Sequence, residues 1–133
     1  MTAPTAKVRE AVYRRDGHCV SCGALDGWNW HHRANSGAGG RGKKAPPLTP
    51  ADGLLACQIC NGRFEGDLTE LALISGWKLK RHSRTPAHEM PYRDAVTGLW
   101  WLPDRDGYRM QVTRQEAIRR LTDGGNMKRK RIA

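Results

Sequence analysis

Four cysteines and two adjacent histidines carry the chemistry of this 133-residue chain. Cys19 and Cys22 are two residues apart, and so are Cys57 and Cys60. A Cys-x-x-Cys pair on a tight turn can point both thiolates at one ion, and two such knuckles complete a tetrahedral four-thiolate zinc site. Two disulfides, a redox pair or buried free thiols are the competing readings. They have less behind them, because residues 1–16 are polar and carry no apolar signal segment, so an oxidising compartment is not indicated. The expected setting is a reducing cytoplasm, and the zinc would add folding free energy to a thin core.

The interval between the knuckles is as informative as the knuckles. A plain zinc ribbon spaces them by about 15 to 20 residues, whereas here residues 23–56 intervene, 34 in all. The insert holds His31 and His32 side by side, a Gly-rich backbone, and the cations Arg33, Arg41, Lys43 and Lys44. A neutral imidazole accepts a proton from water near neutral pH. The spacing therefore suggests a working site mounted on a stapled frame. Consecutive strand residues point to opposite faces, so the two histidines share a site only at a twist, a bulge or a strand end.

Charge narrows the partner. Lys and Arg number 23 against 13 Asp and Glu, a formal charge of +10 with an isoelectric point near 10.0. Such a chain favours polyanions, nucleic acid first, through counterion release. A membrane is the weaker candidate, since only 38% of residues are hydrophobic and no run is long and apolar enough to span one.

The elements that must position these residues read as follows. Residues 6–15 form a short amphipathic helix, with Val8, Ala11 and Val12 at helical spacing, Pro4 near the start and Gly17 as a stop. The WNWH stretch at residues 28–31 has strand character, which sets the histidines at a strand's end. Residues 34–50, rich in Gly and Pro, make a long loop of the kind that is functional or disordered. GLLACQIC (53–60) is a short apolar run into the second knuckle. NGRFEGDLTELALISG (61–76) continues as helix, with Leu68, Leu71, Ala72 and Ser75 on one face and Gly76 as its end. Beyond Trp77 two or three short strands are expected, including TGLWWLP and GYRMQV on either side of a DRDG turn. TRQEAIRRLTD (113–123) is a final helix with Thr113 and Glu116 as a capping box, and the basic tail runs from 123 to 133. The chain reads as one α+β domain, with a core at about 7–76 and a C-terminal strand and helix extension at about 77–122.

In their order CVSC, WHHR, ADGLLACQIC and NGRF resemble the HNH endonuclease family over roughly residues 7–67. The HHR motif, the Gly-rich loop and the trailing GWKLKR and LWWLPDRDG segments are similar to small HNH proteins of actinobacterial phages, which are associated with DNA packaging. The resemblance implies the ββα-metal (His-Me finger) motif around one divalent cation, and a hydrolase that cuts DNA phosphodiester bonds. By position His32 is the general base, His31 and Asn61 are the cation's ligands, and Asp52, where the family has its middle Asn, orients the base. Cys19, Cys22, Cys57 and Cys60 hold structural zinc. A neutral Asn61 ligand implies weakly held Mg²⁺ or Mn²⁺ at the catalytic position. Arg33, Arg41, Lys43, Lys44 and Arg63 would grip flanking phosphates, which positions a strand without reading its sequence. DNA is then the partner in a bacterial cytoplasm, with a phage terminase beside it.

The other candidates read more plainly. His18, His82 and His88 are expected as hydrogen-bonded structural histidines. The tryptophans Trp28, Trp30, Trp77, Trp100 and Trp101 are expected in packing rather than base stacking. Two rival functions remain open at this point: a non-catalytic zinc module that binds DNA, which has no need of His31, His32 and Asn61, and a nuclease directed at RNA.

Overall fold

The computed structural model of the protein describes residues 3–34, 45–80 and 84–128. It is a mixed α+β structure with four helices and two small sheets among those residues. Helix α1 (Ala6–Asp16) starts where the Thr5 hydroxyl accepts the Val8 N–H and ends where Gly17 turns left-handed at φ 72°. Both signals are legible in the sequence. Strand β1 (Trp28–His32) pairs antiparallel with β2 (Gly53–Cys57) in a register that sets Trp28 opposite Cys57 and His32 opposite Gly53. All of β2 is buried, so its apolar run is the floor of the molecule. An indole lies across the start of this floor: a Cβ on Gly53 would fall 2.3 Å from the Trp30 ring.

Helix α2 (Gln58–Arg63) begins at once, with Cys57 as its cap. The single helix expected over 61–76 is instead two, α2 and α3 (Thr69–Ile74). Gly62, Gly66 and Asp67 lie near the break, where Phe64 turns inward and is fully buried. Glycine and aspartate are poor helix formers, and the aromatic side chain gains more from the core than an unbroken helix would give. Of the face expected on that helix, Ala72 and Ser75 are buried but Leu71 is exposed.

The C-terminal part is a three-stranded antiparallel sheet of β3 (Tyr92–Arg93), β4 (Trp100–Pro103) and β5 (Arg109–Val112), followed by helix α4 (Arg114–Asp123). The Thr113 cap forms, with its hydroxyl accepting the Glu116 N–H at 3.1 Å. The Glu116 carboxylate is engaged by Arg119 and Arg120. Leu79 makes an isolated bridge to Ala34. Val12, Leu54, Leu55, Phe64 and Trp77 belong to one apolar cluster, and Leu79, Met90, Trp100, Ala117 and Leu121 to a second.

Two buried arginines tie these parts together. Arg15 forks onto Asp16 at 2.9 and 3.0 Å, and Asp16 also accepts from the Leu55 N–H and the Tyr92 hydroxyl. Arg33 corrects the sequence reading. Expected as a surface phosphate ligand, it is fully buried. Its guanidinium donates to the carbonyls of Ala51, Gly76, Ala87, Met90 and Pro91 at 2.8–3.2 Å. Burial, and then the charge of Arg15, pull its pKa down to about 9, so it stays cationic at neutral pH. Gly76 completes this junction with φ 73°, and a Cβ there would lie 1.9 Å from the Pro91 carbonyl oxygen.

Candidate functional site

The two knuckles meet. The Sγ atoms of Cys19, Cys22, Cys57 and Cys60 all lie within 4.8 Å of one another, the only group of its kind among the described residues. Cys22 Sγ and Cys57 Sγ are 3.7 Å apart, against roughly 3.8 Å for the edge of a tetrahedron with zinc–sulfur bonds of about 2.3 Å. The turns form for local reasons. Gly23 at φ 81° lets its N–H reach the Cys19 carbonyl at 2.8 Å, and the Cys60 N–H points at Cys57 Sγ at 3.4 Å. Burial, followed by the neighbouring thiols, pushes the Cys60 thiol well above its ordinary value. Four thiolates would therefore not share this space without a cation. The cluster can hold a metal ion such as zinc.

A cavity of about 260 Å³ is lined by Trp30, His31, His32, Asn61, Glu65 and Lys78, among others. The strand's end resolves the facing problem, because both histidines border this one cavity although only His31 is buried. His31 is held from two sides. Its Nε2 lies 2.6 Å from the Trp77 carbonyl oxygen and its Nδ1 lies 2.9 Å from Asn61 Oδ1. A carbonyl only accepts, so Nε2 carries the proton. Burial holds the pKa down to about 4, against the opposing pull of the Trp77 and Asn61 contacts, so the ring is neutral at physiological pH. Its remaining lone pair, on Nδ1, then faces the Asn61 side-chain oxygen. The ring packs edge-on against Phe64, with centroids 4.9 Å apart, and Phe64 stacks on Trp77.

The remaining expected site residues are more dispersed. Asp52 does not border this cavity. Its carboxylate accepts from the Thr49 N–H at 2.7 Å and the Thr49 hydroxyl at 3.1 Å, capping the short 3-10 turn Pro50–Asp52. A one-turn helix leaves an N–H that an acidic side chain satisfies, and here that local demand takes the group expected to orient His32. Arg63 is exposed and ion-paired with Asp67 at 2.8 Å. Arg41, Lys43 and Lys44 lie outside the described residues, as does His82. His18 binds the Asp94 carboxylate at 2.8 Å, as a structural histidine should. His88 sits half-buried beside Arg105.

Sequence reasoning missed Glu65 and Lys78, which form an ion pair at 2.9 Å on the cavity wall. Glu65 follows Asn61 by four residues, a spacing that signals a shared helical face. Lys78 carries no local signal, since folding brings it from the far side of α3. No helix among the described residues is long and apolar enough to cross a membrane. No family model, no curated protein and no solved structure matches this chain.

Proposed function

We propose that the chain is a divalent-metal-dependent endonuclease of the HNH, ββα-metal type that hydrolyses DNA phosphodiester bonds, with the four cysteines binding structural zinc. The antiparallel pair β1–β2 running directly into α2 supports the motif. The observation that carries the reading is the meeting of His31 Nδ1 and Asn61 Oδ1 at 2.9 Å, in a cavity that His32 also lines. Trp77 fixes the His31 tautomer, so two lone pairs face each other, and a cation that both atoms would hold is the chemistry that suits such a pair. The bland alternative is an Asn61 carboxamide turned to donate its N–H₂ to Nδ1. It accounts for the contact but not for a second histidine at the same cavity.

Bound there, Mg²⁺ or Mn²⁺ would supply Lewis-acid stabilisation of the charge that builds on the phosphate. His32 takes the proton of the attacking water as its oxygen bonds to phosphorus and the 3′ oxygen departs. His31, neutral and locked, keeps its Nδ1 lone pair directed at the cavity. Zinc in the thiolate cluster would brace the end of β2 and the start of α2, and so the placement of Asn61. On sequence resemblance, the reading extends to a phage packaging nuclease working beside a terminase in the bacterial cytoplasm.

The test is cleavage of supercoiled plasmid by zinc-loaded protein with Mg²⁺, with Mn²⁺ and with EDTA, beside the His32→Ala variant and a parallel RNA substrate. Metal-dependent relaxation or linearisation of DNA is expected, reduced about 10²–10⁴-fold in the variant. DNA that is bound but never cut would favour a zinc-stabilised binding module, and cutting of RNA alone would move the activity to that substrate.

A further inference from the structure

His32 borders a second cavity as well. On the α1 side of β1, a cleft of about 530 Å³ is lined by Arg9, Tyr13, Asn29, Trp30 and His32, with Ala3 and Pro4 at its edge. Trp30 and His32 belong to both cavities, so the proposed base stands on the wall of each. The lining contains no carboxylate. Its one arginine, Arg9, has no carboxylate partner among the described residues, unlike Arg63, Arg119 and Arg120.

The geometry points to this cleft as the subsite for the nucleotide adjoining the scissile phosphate, with the Arg9 guanidinium on the flanking phosphate. The inference rests on the nuclease reading above and supplies the phosphate contact that buried Arg33 cannot make. The chemistry of the walls suits a nucleotide. An unpaired guanidinium meets phosphate oxygens as a fork, the half-buried Asn29 offers a carboxamide to a base or sugar, and Tyr13 and Trp30 give flat apolar surface. Tyr13 is already braced edge-on by Trp28 at 5.6 Å between centroids. Arg9 and Tyr13 are one helical turn apart and share a face of α1. Arg14, five residues on from Arg9, lies about 140° round the helix and borders a different cavity, with Trp101 and Arg109.

That difference makes the test. Binding of a fluorescein-labelled DNA duplex is followed by anisotropy over a range of salt, in EDTA so that nothing is cut, for the zinc-loaded wild type, Arg9→Gln and Arg14→Gln. One lost phosphate contact lowers the slope of log K against log[salt] by about 0.9, which is roughly a fivefold loss at about 0.15 M salt. Arg9→Gln is expected to show this loss and Arg14→Gln to show little. Equal losses in the two variants would mean that only bulk charge is felt and would overturn the assignment, as would an unchanged Arg9→Gln. Failure of the nuclease reading looks different. Arg9-dependent binding without cleavage under any metal would remove the enzyme and keep the cleft as a DNA contact. Metal-dependent cleavage with kcat/KM untouched by Arg9→Gln would keep the enzyme and remove the cleft.

Discussion

Replacing Arg33 with Met separates two roles that the same residue would have in different places. If Arg33 were a surface phosphate contact, Arg33→Met would weaken DNA binding and leave stability alone. In the structure the side chain is fully buried and bonds five backbone carbonyls from three separate stretches of chain. Methionine fills similar volume and takes the donor from four of those carbonyls, Ala87 keeping the Met90 N–H. Each orphaned buried acceptor costs about 1 kcal/mol or more, which sums to about 4 kcal/mol. Removal of the guanidinium's own desolvation penalty offsets part of this, and breaking such a buried charged network typically costs about 3–5 kcal/mol. With a urea m-value of about 2 kcal/mol/M, the unfolding midpoint should fall by about 2 M. Tryptophan fluorescence of zinc-saturated protein in urea measures it. Arg33→Lys should recover little, because one ammonium cannot reach carbonyls spread around a planar fork. An Arg33→Met protein with an unchanged midpoint and a reduced salt slope for DNA would refute the reasoning.

Three further outcomes follow from the same geometry. Because burial lowers the folded pKa of His31 to about 4 from about 6.5 when unfolded, the unfolded chain binds the proton first. The stability this contributes is complete above pH 6.5 and drains away as pH falls towards 4. Urea midpoints against pH should show that fall in wild type and lose it in His31→Gln, whereas an NMR titration of His31 near 6.5 would contradict the burial. Gly76→Ala should destabilise by about 2–4 kcal/mol, since the added methyl meets the Pro91 carbonyl at a positive φ; a midpoint within about 0.5 kcal/mol of wild type would sink that account. Cys57→Ser, or a strong chelator, should release one zinc per chain by metal analysis and lower Tm sharply, because the metal's binding energy is folding energy, and an unchanged Tm would show that the thiol cluster stands without it.

Local grammar made much of the molecule legible. The two Cys-x-x-Cys knuckles, the Thr113 cap, the Gly17 stop, the strand at WNWH and the buried run GLLAC all depend on neighbours within a few residues, and each forms as read. The pairing of His31 with Asn61 came from family pattern, and the two side chains do meet at 2.9 Å. Helix 61–76 broke because burial of Phe64 is a property of the assembled core, not of helical periodicity.

The sequence by itself determined where the thiols and imidazoles stand along the chain and which short elements carry them, since caps, turns and periodicity are short-range effects. Only the tertiary structure decided what each charge does. Arg33 and Arg63 read alike as basic residues beside the motif, yet one is enclosed by backbone carbonyls from distant segments and the other is paired with Asp67 on the surface. Lys78 and Arg9 arrive at the cavities with no local signal. The physical reason is that a charged group's role is set by solvent access and by whichever partners folding brings within a few ångströms, and those partners can be as far apart along the chain as Asp16 and Arg109.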